Sequence, residues 1–246
     1  MTIKLNRYEE LLKTAVCAFW SGRTQAASKQ ELSLKRDQGN RGAVTGGKNL
    51  DGFRDLIAGV VKKFAPAGTE IYQNKALVTL PGYFRPTKQW DLLVIHKGRL
   101  LAALELKSLC GPSFGNNANN RCEEALGSAL DFRKAQSEGA FGKGATPFLG
   151  YFILVEDASG SASKVTAKSS HFPTDLVFQE SSYQQRIRIL CERMMEQQLY
   201  SSAALLTSPK KASTSGASKT LSSPSSLKLL LTRLAGHLAA ESAGMD

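Results

Sequence analysis

Gln89-Trp-Asp-Leu-Leu-Val-Ile-His96, Lys97-Gly98 and Arg99-Leu-Leu-Ala-Ala-Leu-Glu-Leu-Lys107 form the stretch on which the reading of this chain turns. Two apolar runs rich in branched residues flank a dipeptide suited to a tight turn, a pattern that predicts two antiparallel strands. Side chains alternate along a strand, so Glu105 and Lys107 share one face. Pairing about Lys97-Gly98 makes residue numbers sum to about 195, which sets Asp91 beside Glu105 across the ladder. Charged groups inside such apolar runs are costly unless they pair with one another or hold a metal. Two converging carboxylates suit Mg2+, a hard cation that takes oxygen ligands and keeps several waters. Lys107 beside them would orient or deprotonate a water and stabilise developing negative charge. The same residues also fit a structural ion pair, Glu105–Lys107 or Asp91–Lys107, at a strand end.

Outward from this stretch, Ile71 to Leu80 adds a further strand and completes a meander. Before it, Leu5, Tyr8, Leu11, Leu12, Ala15, Val16 and Phe19 follow helical spacing, with an end expected near Gly22. Residues 35–49 hold four glycines and four basic residues and read as a mobile basic loop. Asp51 to Phe64 resumes a helix, stopped by Pro66 and Gly68. After a loop over Cys110–Ala118, Asn120 is placed to cap a helix carrying Cys122, Ala125, Leu126, Ala129 and Leu130. Phe148 to Val155 reads as a wholly buried strand. A helix is expected over 182–206, with Ser182 and Gln185 as a capping pair. Thr207 to Ser226 has eleven Ser or Thr among its twenty residues, a linker composition, and a last helix follows from Leu227.

Composition narrows the partner. The chain has 246 residues, 42% of them hydrophobic, enough for one main domain with extensions. Its net charge of +11 and pI near 9.6 favour a polyanion, and the basic excess is spread along the chain rather than held in a tail. Four cysteines without a CxxC pair and three histidines argue against a zinc site or a disulfide framework. No apolar run approaches the roughly 20 residues of a membrane span. Met1 to Arg7 lacks the apolar core of a signal peptide, so a cytoplasmic location is expected. Gly42-Ala-Val-Thr-Gly-Gly-Lys48 nearly fits a nucleotide-phosphate loop, but Asn49 stands where Ser or Thr would bind the metal. Lys35-Arg-Asp-Gln38 precedes it where a buried strand is required, which disfavours ATP or GTP hydrolysis.

Asp91 followed by Glu105-Leu-Lys107, in helix, meander, helix, strand order, resembles the PD-(D/E)XK nuclease superfamily. More closely, four stretches are similar to the XhoI group of type II restriction endonucleases: Pro81-Gly-Tyr-Phe-Arg-Pro-Thr-Lys-Gln-Trp-Asp91, Glu105-Leu-Lys-Ser108, Gly111-Pro-Ser-Phe-Gly-Asn-Asn117 and Asn119-Asn-Arg-Cys-Glu-Glu-Ala-Leu-Gly-Ser-Ala-Leu-Asp131. The resemblance implies an α/β fold (an α+β mixed sheet) with a restriction-endonuclease-like core. The chain is then expected to divide into an endonuclease domain over 1–206 with an N-terminal helical extension, a Ser/Lys-rich linker or loop over 207–226 and a C-terminal helix over 227–246, the last two read from composition and spacing. The resemblance further implies Mg2+-dependent cleavage of double-stranded DNA at CTCGAG after the first cytosine, leaving 5′ overhangs. A homodimer, and a cognate methyltransferase that protects the host, belong to the same implication. Asp91 and Glu105 match the metal carboxylates and Lys107 the catalytic lysine, although Trp90 rather than proline precedes Asp91. A third acid is open among Asp51, Asp55 and Glu70. Two other readings of the same residues are a structure-specific repair or recombination nuclease and a DNA-binding module without catalysis.

For DNA contact, the stretch Ser113–Arg121 directly follows the catalytic strand. Asn116, Asn117 and Asn119 are candidates for adenine and Arg121 for guanine, against the alternative of turn formers and helix cap. Arg36, Arg41 and Lys48 of the glycine-rich loop, with Arg85 and Lys88, are candidate phosphate contacts.

Overall fold

The computed structural model describes residue 5 and residues 7–32, 47–142 and 146–244. Its elements, in chain order, are α1 (Tyr8–Leu32), α2 (Asp51–Phe64), β1 (Glu70–Tyr72), β2 (Thr79–Pro81), β3 (Thr87–Gln89), β4 (Leu92–His96), β5 (Arg99–Leu109), α3 (Phe114–Ser137), β6 (Phe148–Glu156), α4 (Tyr183–Glu196), β7 (Ser202–Ser208) and α5 (Leu227–Ala243). A five-stranded sheet runs in the order β1-β4-β5-β6-β7, and β2 with β3 forms a separate hairpin. β1, β4 and β5 pair antiparallel, whereas β5, β6 and β7 pair parallel. The expected α/β architecture with a mixed sheet flanked by helices is borne out.

The decisive hairpin forms as its sequence dictates. Lys97 and Gly98 both take positive φ, 49° and 76°, the backbone of a tight turn whose twist matches its strands. Below the turn the pairs are His96↔Arg99 and Ile95↔Leu100, then a shift at Val94/Ile95 moves the register to Val94↔Ala102 and Leu92↔Leu104. β6 is buried on both faces, as a central parallel strand must be. Phe148, Phe152 and Leu154 face the layer of α1, α2 and α5, while Leu149, Tyr151, Ile153 and Val155 face α3 and α4. Phe152 meets Phe53 of α2 at a ring separation of 4.7 Å.

Several expectations are corrected. Gly22 does not stop α1, which continues to Leu32; a Cβ there would lie 2.9 Å from the Asn49 side chain, so the glycine serves close packing. The strand expected over Ile71–Leu80 is split into β1 and β2, and the one over Gln89–His96 into β3 and β4. Asn120 is no cap: α3 begins at Phe114, because Phe114, Ala118 and Ala125 bury one helical face beneath the Asn-rich run. The helix expected over 182–206 ends at Glu196, with Ser182 and Gln185 exchanging the capping hydrogen bonds as expected, and 202–208 is a strand. Residues 207–226 are not a slack linker. The backbones of Thr207 and Lys219 exchange hydrogen bonds of 3.0 and 2.8 Å, and Leu205 N–H donates to Ser225 at 2.9 Å, so this segment covers the edge of β7. The loop expected over 35–49 lies outside the described residues up to position 46.

Asp131 on α3 clamps the β2–β3 hairpin. It accepts the N–H groups of Tyr83 and Phe84 at 2.8 Å each and Arg85 Nε at 2.9 Å. Burial pushes its carboxyl up, but these donors outweigh that and hold it below the usual carboxylate range. A depressed carboxyl stabilises the fold above its unfolded pKa of about 4 and loses that contribution as pH falls. Asp131→Asn is therefore expected to lower stability by roughly 1–3 kcal/mol at neutral pH and to flatten its acid dependence below about pH 4, read from urea midpoints across pH.

The α1–α2 crossing offers a second test, since a Cβ on Gly52 would lie 2.9 Å from the Ala15 backbone, whereas one on Gly59 would meet nothing within 4 Å. Gly52→Val should cost about 1–3 kcal/mol in the urea midpoint, and Gly59→Ala should cost nothing or stabilise by up to about 1 kcal/mol.

Candidate active site

β5 is a strand of eleven residues whose two faces differ. Leu104 and Leu106 pack into the layer of α1, α2 and α5, so Glu105 and Lys107 face the other way, toward α3. Asp91, just before β4, donates its N–H to Leu104 O at 3.1 Å, and its Oδ2 accepts the Leu106 N–H at 2.7 Å. These bonds fasten Asp91 to the residues on either side of Glu105. The strand pairing thus brings Asp91, Glu105 and Lys107 together.

Glu105 is a buried charge, its side chain 5% exposed. Lys107 Nζ lies 2.6 Å from Oε1, and Lys88 Nζ contacts Oε2 from a direction that makes no well-formed hydrogen bond. Burial pushes the Glu105 carboxyl up, but the two ammonium groups outweigh it and hold it below the usual range. Burial alone would lower the Lys107 pKa; Glu105, Glu124 and Asp91 reverse this and keep it a firmly protonated ammonium. Asp91 is shifted up, first by burial and further by Glu105, with the Leu106 N–H, Lys107 and Arg54 offsetting only part.

Glu105 and Lys107 open into a cleft of about 340 Å³ lined also by Phe84, Arg85, Lys88, Glu123, Glu124, Gly127, Ser128 and Asp131, while Asp91 lies behind them, outside its lining. Glu124 Oε2 lies 3.6 Å from Lys107 Nζ and also pairs with Arg121. Sequence reasoning missed Glu124 and Asp131 as parts of the site. Their signal is the polar stripe Arg121, Glu124, Ser128 and Asp131 at helical spacing, which lies within the helix already expected beyond Asn120.

The other candidates divide. Arg121 reaches the cleft through Glu124, its Nε buried without a hydrogen-bond partner. Arg85 is tied to Asp131 and Lys88 to Glu105, so both stand at the cleft. Asn116 and Asn119 instead line a groove between α3 and α4 with Tyr183 and Arg186, and Asn119 donates to Glu123 at 2.7 Å. Asn117 sits half-buried in the first turn of α3. Lys48 falls in a short turn over Gly47–Leu50, and Arg36 and Arg41 lie outside the described residues. Of the third acids, Asp51 pairs with Arg54, and both Asp51 and Asp55 line a groove against α1. Glu70 pairs with Ile95, at the end of β4 remote from Asp91.

The donor set fits a hard divalent cation. Among the described residues no three His, Cys, Asp or Glu side chains gather into a closed metal cage. Asp91 and Glu105 would hold the ion, leaving its other positions to water, backbone and phosphate, as Mg2+ prefers. Among the described residues no helix is long and apolar enough to cross a membrane.

Comparison with known proteins shows the family. A family model described as restriction endonuclease XhoI matches residues 29–220. Type II restriction enzyme AbrI of Azospirillum brasilense is 51% identical over 172 residues, 70% of this chain and 77% of that protein. Type II restriction enzyme XhoI of Xanthomonas vasicola is 44% identical over 197 residues, 79% of this chain and 78% of that protein. Type II restriction enzyme BstVI of Geobacillus stearothermophilus is 42% identical over 213 residues, 85% of this chain and 95% of that protein. No solved structure matches the chain. With a carboxylate pair and lysine on adjoining strands, and with relatives of this identity along most of its length, the chain belongs to the XhoI family of type II restriction endonucleases, site-specific enzymes that cut DNA.

Proposed function

We propose that this endonuclease hydrolyses double-stranded DNA with Mg2+ at a centre built from Asp91, Glu105 and Lys107. The observation that carries the reading is the buried Glu105 carboxylate within β5, with Lys107 Nζ 2.6 Å away and Asp91 fastened across the ladder. The proposed target is CTCGAG, cut after the first cytosine to leave 5′ overhangs, as the family resemblance implies. A palindrome calls for two-fold symmetric protein, so the proposed working unit is a homodimer. The enzyme would act in the cytoplasm, where a cognate methyltransferase protects the host's own sites.

Asp91 and Glu105 would hold the metal, which would supply polarisation of the phosphodiester, an activated water and neutralisation of the leaving oxygen. The protein's own groups do the rest. Asp91 is raised by burial and by Glu105, so a shared cation relieves a repulsion already built into the fold. Lys107 is suited to orient the attacking water and to donate hydrogen bonds to the phosphate oxygens. Glu124 steadies Lys107 from the helix side. Arg85 lines the cleft and Arg121 stands behind Glu124, and both would meet phosphate or base, while Asn116, Asn117 and Asn119 at the start of α3 are the proposed candidates for base contact.

Asp91→Asn and Lys107→Met are each expected to slow cleavage roughly 100- to 1,000-fold while DNA binding persists, measured by plasmid nicking and gel shift. Undiminished cleavage by either variant would remove that residue from the centre. Sequencing the ends of digested DNA should return one short palindrome with 5′ overhangs, and chelating divalent ions with EDTA should stop the reaction. Arg121→Ala should relax sequence preference if the residue reads a base, or make the salt dependence shallower if it holds phosphate; a variant altered in neither would leave Arg121 a structural partner of Glu124 alone.

A further inference from the structure

Glu105 offers both of its oxygens to protein cations. Oε1 is taken by Lys107 and Oε2 by Lys88, yet the carboxylate is 5% exposed and is the group that a divalent ion would need. A lysine ammonium and a divalent cation at one carboxylate oxygen repel each other, so one must leave.

The two lysines are not equivalent. Lys107 lies on the same strand as Glu105 and is also held by Glu124 at 3.6 Å. Lys88 comes from β3, in the two-stranded hairpin outside the main sheet, between the exposed residues Thr87 and Gln89. Its ammonium stands 4.5 Å over the Trp90 ring and touches Oε2. The partner on the separate hairpin, not tied to the strand that carries Glu105, is the one that yields.

We infer that Lys88 is the protein's own counter-ion on the metal-facing oxygen of Glu105, displaced when a divalent cation binds and passed to the DNA backbone. This rests on the proposed metal site. The side chain lines the cleft with Arg85 and Phe84, so a displaced ammonium pivoting on the Trp90 ring faces the space where a phosphate would lie. Exchanging a carboxylate partner for a phosphate keeps a charge-assisted contact. DNA therefore offsets the cost of emptying Glu105 Oε2, and by reciprocity the metal strengthens the hold on DNA. The enzyme binds the metal weakly alone and more tightly with its substrate.

Mn2+ binding to the DNA-free protein, followed by loss of the free-ion electron paramagnetic resonance signal, tests the first half. Lys88→Met keeps the stem over Trp90 and removes the charge, so it should bind Mn2+ about tenfold more tightly than wild type, within the usual range of coupling between sites. Lys88→Gln should behave likewise and guards against a poorly folded methionine variant, while Lys88→Arg, which keeps the cation, should bind no more tightly than wild type. Neutral variants that bind Mn2+ no more tightly, with Glu105→Gln losing it, would overturn the role of Lys88 and leave the metal site standing. Glu105→Gln binding Mn2+ as well as wild type would instead overturn the metal site itself.

The second half is read without divalent ions, from fluorescence anisotropy of a labelled duplex. Glu105→Gln should bind DNA several-fold more tightly by freeing Lys88, and the gain should vanish in Glu105→Gln/Lys88→Met. A gain that persists in the double variant would overturn the transfer to phosphate.

Discussion

A carboxylate buried within a sheet costs several kcal/mol in lost hydration unless charges of the opposite sign surround it, and Glu105 is such a group. Its surroundings are built accordingly. The residues before and after it on β5 are leucines that commit the strand to the opposite core, which fixes the direction in which Glu105 points. Lys107 follows by the two-residue pleat, Asp91 by the register of β4, and Lys88 by the hairpin that precedes it. Replacing that one acid by an apolar residue would leave Lys107 with Glu124 alone and take from Lys88 its carboxylate partner.

The second support is α3, which crosses from β5 to β6 and lays its polar stripe over the site. Glu124 reaches Lys107, and Asp131, two turns or about 10 Å along the helix, holds Arg85 and the backbone of Tyr83 and Phe84. One helix thereby anchors both sources of positive charge on Glu105: the strand lysine directly, and the hairpin lysine through the turn that carries it. The apolar side of the same helix, Phe114, Ala118, Ala125, Ala129 and Phe132, is packed on the sheet, so the geometry of the cleft is set by core packing rather than by loops.

Much of this was legible because it follows from local rules. Alternation, the Lys97-Gly98 turn and the sum of paired residue numbers placed Asp91 beside Glu105 without coordinates, and the shift at Val94/Ile95 changed that sum by only one. The meeting of Asp91, Glu105 and Lys107 and the central strand Phe148–Val155 are visible for the same reason. What escaped depended on tertiary context. Helix α4 stops with Gln198 at a φ of 56°, a left-handed residue that is not glycine, so the stop left no glycine or proline in the sequence, and Ala203-Ala-Leu-Leu206 is a strand only because β6 and α4 bury it. The Gly-Asn-Asn run after Phe114 looks like a turn and is a helix, since Gly115 lets α3 approach Tyr183, whose hydroxyl would lie 2.8 Å from an added Cβ. The stretch 207–226, polar enough to be taken for a linker, earns its order by hydrogen bonding along the edge of β7.

The distribution of charge follows from the substrate. A protein of net charge +11 draws a polyanion from a distance, but a catalytic centre of carboxylates would repel the phosphate it must meet. In this cleft the repulsion is removed locally: Glu105 is covered by Lys107 and Lys88, Asp131 by Arg85, and Glu124 by Arg121 and Lys107. Asp91 differs, because its close partner is the Leu106 N–H, and burial with the neighbouring Glu105 leaves its carboxyl shifted up. The fold leaves one acid electrically unsatisfied beside another that is held by an exchangeable lysine. A divalent cation shared by the two would satisfy the first and, on the exchange proposed for Lys88, release the second's counter-ion toward the phosphate, so that the event completing the centre would also remove its last obstacle to DNA.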